Sequence, residues 1–125
     1  MIQRFIPAFV AILTLSSCYT PERDCKSFKD GTFTFTTEIN GESKTTRFVR
    51  SGNMEVDYFE GKADTSEIRW LNDCEYIIKK LNPKNRAEEA SLHMKILTTT
   101  DSSYTFEYAI VGSEKKSKGT AIKID

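Results

Sequence analysis

The chain has one histidine, His93, and one tryptophan, Trp70, in 125 residues. It has no HExxH segment and no glycine-rich phosphate loop, so zinc-hydrolase and nucleotide-binding chemistry lack their usual motifs. His93 falls between Leu92 and Met94 on the outward side of an alternating run, with no serine or cysteine nucleophile tied to it by a motif. It reads as an ordinary surface histidine. An excess of charge is missing too: Lys and Arg number 18, and so do Asp and Glu. Without residues 1–17, which carry only Arg4, the balance is 17 to 18. A nucleic-acid binder usually shows a basic field, so no nucleic-acid partner is expected. No metal, no other cofactor and no catalytic set is legible, and the expectation is a protein that is not an enzyme. Long apolar runs are lacking as well. Phe5–Leu15 is about half the roughly 20 residues a spanning helix needs, and it contains Pro7, which disturbs a helix interior.

What is present begins at that run. Arg4 followed by an apolar stretch matches a secretory signal, whose h-region is about 7–15 residues long. Leu15-Ser16-Ser17-Cys18 then resembles the lipobox of bacterial lipoproteins. In those proteins the cysteine thiol receives a diacylglycerol, the bond before it is cut and the new amine is acylated. The resemblance implies a signal peptide over 1–17 and a first mature residue, Cys18, bearing fatty acyl chains such as palmitate. Each buried CH₂ contributes about 0.8 kcal/mol, so one chain binds marginally and two or three hold firmly. The membrane is then a partner through the lipid on Cys18. Tyr19 follows, where some bacteria use an aspartate to retain lipoproteins at the inner membrane; by that analogy the outer membrane of the cell envelope is favoured.

If Cys18 is lipidated, Cys25 and Cys74 remain as an even pair in an oxidising compartment. A Cys25–Cys74 disulfide is expected, closing a loop of about 50 residues and stabilising a small domain by about 4 kcal/mol on the chain-entropy model. A metal site and a reactive thiol are the rival readings. The first needs more ligands, and neither cysteine has a CxxC or histidine companion.

Residues 18–30 read as the lipidated N-terminus and a polar tether, and 31–125 as one antiparallel β-domain. Phe33, Phe35 and Ile39 alternate with Thr32, Thr34, Thr36 and Glu38. Asn40-Gly41 is a strong signal for a type I′ hairpin, and the return strand runs from about Lys44 to Arg50. Ser51-Gly52-Asn53 makes the next turn. Met54, Val56 and Tyr58 alternate with Glu55, Asp57 and Phe59. Further alternating runs carry Ile68 and Trp70; Cys74, Tyr76 and Ile78; Leu92, Met94 and Ile96; and Tyr104, Phe106, Tyr108 and Ile110. Gly119–Ile124 closes the chain, and Ala87–Ala90 suits one helical turn. About eight strands with short connections predict an all-β, up-and-down meander closed into a lipocalin-like barrel. A β-sandwich or a curled open sheet is the runner-up. A monomer is expected.

The rings Phe33, Phe35, Phe48, Tyr58, Trp70, Tyr76, Tyr104, Phe106 and Tyr108 are assigned to the inner face. In a small barrel such rings are expected to fill the core. The functional alternative is a mouth for a small apolar ligand, lined by Phe33, Phe35, Tyr58, Trp70, Tyr76, Phe106 and Tyr108. Glu55, Asp57, Glu67, Asp73 and Glu75 read as an outward polar face paired across strands with Arg47, Arg50 and Arg69. Lys115, Lys116 and Lys118 read as a solvated hairpin tip.

Four stretches resemble a family of short bacterial envelope lipoproteins. They are Cys25-Lys26-Ser27-Phe28-Lys29-Asp30-Gly31-Thr32-Phe33, Arg50-Ser51-Gly52, Ile68-Arg69-Trp70-Leu71-Asn72-Asp73-Cys74-Glu75-Tyr76 and Phe106-Glu107-Tyr108. The family brings no established activity and therefore no site residues. Its members often bear the name DNA topoisomerase IV, which is expected to be a misnomer. A type II topoisomerase needs an ATPase domain, an acidic metal site and a tyrosine on a winged-helix scaffold. The expected function is a membrane-tethered, non-enzymatic module that binds a protein or a small apolar ligand. The alternative is an inhibitor of a cell-wall hydrolase, although Ser51-Gly52-Asn53-Met54 lacks the tyrosine of the Ser-Gly-x-x-Tyr loop found in lysozyme inhibitors.

Overall fold

The computed structural model describes residues 23–125. The expected signal peptide 1–17, the lipidation of Cys18 and the first part of the 18–30 tether lie outside the described residues. The eight strands are β1 (Gly31–Ile39), β2 (Glu42–Ser51), β3 (Met54–Phe59), β4 (Lys62–Asn72), β5 (Glu75–Lys80), β6 (Leu92–Thr99), β7 (Ser103–Ile110) and β8 (Ser117–Lys123). Each pairs antiparallel with the next, and β8 returns to β1, so the sheet is a closed up-and-down barrel.

Local chemistry sets the turns. Asn40 and Gly41 take φ values of 52° and 80°, the left-handed pair that a two-residue hairpin demands. A short helix α1 (Arg86–Glu89) sits in the β5–β6 connection. The side-chain oxygen of Asn85 accepts from the Glu88 amide at 2.9 Å and caps that helix. The closing seam is short: Phe33, Thr34 and Phe35 face Lys123, Ile122 and Ala121. It continues through the Thr32 amide donating to the Asp125 carbonyl at 2.9 Å. Gly119 on β8 lies under two rings, since a Cβ there would meet Phe35 at 2.5 Å and Phe106 at 2.9 Å. Only a residue without a side chain lets both rings pack across the strand.

The two ends of the barrel differ. One carries the β1–β2, β3–β4, β5–β6 and β7–β8 connections. The other carries the remaining three, and the chain enters there. At the entry end a 3-10 turn, Cys25–Phe28, folds across the opening. Phe28 is 1% exposed and packs its ring 5.2 Å from Tyr104 and 6.4 Å from Phe33. The Cys25–Cys74 disulfide forms, tying this turn to the β4–β5 hairpin. Further ties reach the same end. The Arg23 guanidinium donates to the Ile96 carbonyl at 2.9 Å, Lys123 Nζ to the Ser27 carbonyl at 2.8 Å, and the Gly52 amide to Asp30 Oδ1 at 2.8 Å. The last residues of the stretch 18–30 are thus a plug rather than a tether. A polar sequence hid two core side chains, Cys25 and Phe28.

One strand faces the other way from its hydrophobic pattern. In β3 it is Glu55 and Asp57 that point inward, while Tyr58 lies outside with 39% of its surface exposed. The Arg47 guanidinium rests 4.3 Å from the Tyr58 ring on that outer face. The cause is register. A two-residue turn, Gly52-Asn53, pairs Ser51 with Met54, Arg50 with Glu55 and Phe48 with Asp57. Phe48 is inside, so Asp57 must be inside too, because a shift of one residue exchanges the faces of a strand. Arg50, expected on the surface, is 1% exposed.

Candidate functional site

The barrel interior divides into a filled part and an open part. The filled part lies behind the plug and holds Phe28, Phe33, Ile96, Tyr104 and Ala121, all buried. Phe33 stacks on Phe48 with ring centres 5.1 Å apart. Beside it Trp70, half-buried, packs 4.6 Å from Tyr76. Above this layer a cavity of about 250 Å³ opens to solvent. Its walls are Phe35, Phe106 and Tyr108 on one side and Ile78, Leu92 and Met94 on the other. Thr46, Phe48, Arg50, Glu55 and Asp57 complete the lining, with Tyr76 and Tyr104. The volume lies just below the roughly 300–1,000 Å³ of drug-sized sites, which suits a ligand of one ring or a short chain.

Of the seven rings expected to line a mouth, Phe35, Tyr76, Phe106 and Tyr108 do so. Phe33 lies deeper in the filled core, and Trp70 packs on the far side of Tyr76. Tyr58 is outside the barrel. His93 is also on the outer face, with Nε2 4.0 Å from Glu75 Oε1. The lysine tip is solvated as expected, with Lys116 paired to Glu107 at 3.4 Å.

The floor of the cavity is polar. The Arg50 guanidinium donates from Nε and Nη2 to Glu55 Oε1 at 3.2 and 3.1 Å. Its Nη1 donates to the Phe28 carbonyl at 2.6 Å, and Nη2 also reaches the Tyr76 and Tyr104 hydroxyls at 2.8 and 3.0 Å. Rings surround it, with Tyr76 at 4.9 Å and Phe33 at 5.1 Å from the guanidinium carbon. Burial opposes the arginine's charge, but the neighbouring Tyr76, Tyr104 and Glu55 outweigh it and raise its pKa. Burial likewise raises the pKa of both tyrosines, which therefore stay neutral phenols. A buried charge this well partnered fixes the geometry of its surroundings. It also ties the plug to the barrel wall, since one acceptor is the backbone of Phe28.

Asp57 stands one step up the same wall. Burial, then the charge of Glu55 and a hydrogen bond to it, push its pKa up to about 8. At neutral pH it is mostly a protonated acid that donates to Glu55. Across the β3–β4 ladder it faces Asp64. Asp64 is matched by Lys80 at 3.2 Å, and Lys80 also holds Glu88 at 2.7 Å. Among the described residues no group of three or more His, Cys, Asp or Glu is placed to hold a metal ion.

The sequence reading missed Arg50, Glu55 and Asp57 as interior residues. The turn length held the signal: a two-residue hairpin at Gly52-Asn53 with Phe48 inward forces all three inside. No family model matches the chain, and a search of curated proteins finds no match either.

Proposed function

We propose that this chain is a membrane-tethered envelope lipoprotein, akin to the short bacterial envelope lipoproteins that its sequence resembles. In this reading its barrel is a non-enzymatic binding module for a small, largely apolar ligand. The observation that carries the reading is the open cavity of about 250 Å³, walled by rings and methyl-bearing side chains on a rigid closed sheet. A preformed apolar cleft with a few placed polar groups is the usual form of a small-molecule site.

The position of the plug sets how such an anchor would orient the barrel. Cys18 precedes Arg23 by only five residues, which span at most about 17 Å when extended, and Arg23 is held at the sealed end by its bond to Ile96. A lipid on Cys18 would therefore keep the sealed end near the bilayer and leave the mouth facing away from it. The ligand would then come from the aqueous compartment rather than from the lipid phase.

Mass spectrometry of the protein purified gently from membranes tests both halves. The expected result is an acylated cysteine at residue 18 and a retained small molecule that is lost on denaturation. An unmodified residue 18 removes the anchor, and a cavity that never carries or takes up a small molecule removes the binding role.

A further inference from the structure

Resting on the binding reading above, we infer that the cavity selects a cationic ligand: an aromatic or short apolar body carrying one ammonium group, received by Asp57. Three observations point this way. The first is the state of Arg50, the one cation among the described residues that lines the cavity. Its donors are engaged by Glu55, Tyr76, Tyr104 and the Phe28 carbonyl, so it has little left to offer a carboxylate or phosphate. The second is the balance of charge on the wall. Glu55 and Asp57 both line the cavity, and Arg50 matches only one of them. Lys80, the next cation along the inner face, is given to Asp64 and Glu88. Among the described residues Asp57 is thus left without an ion-pair partner, and a ligand can supply one. The third is the wall itself. Phe35, Phe106, Tyr108 and Tyr76 line the same space, and aromatic rings can attract cations as well as apolar bodies.

The protonation of the empty site agrees with this. The groups facing Asp57 are Glu55 on its own strand, Arg50 on β2, Asp64 on β4 and Lys80 on β5; burial and Glu55 outweigh the opposing charges of Arg50 and Lys80 and leave it mostly protonated at pH 7. An ammonium ion placed beside it stabilises the carboxylate, so the acid gives up its proton to water as the amine binds. Affinity for the amine should therefore rise as pH approaches the acid's own range near 8.

The test uses the full chain and three probes of one shape: 2-phenylethylamine, 2-phenylethanol and phenylacetate. Titration calorimetry at low salt is expected to give the amine at least a tenfold advantage over the alcohol, with phenylacetate weakest. The amine's affinity should rise more than tenfold from pH 6 to pH 8 while the alcohol's stays flat. In Asp57→Asn the ratio of amine to alcohol should fall below about threefold. Equal binding of amine and alcohol, or a preference for phenylacetate, overturns the charge selection and leaves the binding module standing. Failure of all three probes to bind overturns both. The comparison of probes in the unaltered protein needs no variant, so a poorly folding Asp57→Asn would not protect the inference.

Discussion

At one end of the barrel Phe28 is 1% exposed, closed over by a disulfide-tied turn. At the other, Phe35 and Tyr108 stand half-buried against open space. Both ends are walled by the same kinds of residue on the same continuous sheet. The difference lies in what enters: the chain's own N-terminal turn fills one end, and nothing among the described residues fills the other. A ring-rich interior is therefore a packed core or an open cavity according to whether a plug reaches it. Arg50 marks the boundary, holding the plug through the Phe28 carbonyl and the cavity wall through Glu55.

The sharpest way to break this contrast is to remove its boundary. Arg50→Ala leaves Glu55 buried without its cation and frees the backbone of the plug. Breaking such a buried pair costs about 3–5 kcal/mol, and urea unfolding should register a loss of that size. Replacing both Arg50 and Glu55 with leucine should recover much of it, because no unpaired charge is then left behind.

Next in size is a matched pair of truncations, one at each end. Phe28→Ala should cost about 3–4 kcal/mol, as for other buried phenylalanines. Tyr108→Ala borders space that is already empty and should cost roughly 1–2 kcal/mol, the ordinary scale of a point change. Thermal melts of the two variants read the difference directly. Equal losses would mean that the mouth is packed as tightly as the base.

The last comparison, which reads pH dependence rather than a single loss, concerns Asp57. Its pKa is about 8 in the folded barrel against an ordinary value of 3.8. The folded state therefore holds more protons than the unfolded chain between those values. Its contribution is fully present below about pH 4, declines as pH rises and is gone above about pH 8. Asp57→Asn, which copies the protonated acid, should match the unaltered protein near pH 4. It should be more stable near pH 9, as denaturant midpoints at the two pH values would show.

Much of the scaffold could be read from residues. Threonine and phenylalanine alternating before Asn40-Gly41 fixed the first hairpin, and similar alternation gave eight strands and a closed meander. The pairing of Cys25 with Cys74 was legible because the third cysteine, Cys18, closes a lipobox-like segment. The site was less legible, for two physical reasons. Met54, Val56 and Tyr58 advertise an inner face, but strand faces are set by hairpin register, and Gly52-Asn53 overrides the local pattern. Phe28 sits in a charged, proline-containing approach, Pro21 to Asp30, where no periodicity exists to flag a core residue. Arg50 follows from the same register, yet an arginine at an inward position is discounted until its partners Glu55, Tyr76 and Tyr104 are seen together.

The open cavity itself is tested most directly by NMR of methyl-labelled protein titrated with 2-phenylethylamine. Shifts are expected at the Met94, Leu92 and Ile78 methyls, which line the space, while Ile68 and the plug-end Ile96 stay where they are. Shifts confined to Val49 and Val56, paired on the outer face, or no shifts at all, would contradict a binding cavity in this barrel.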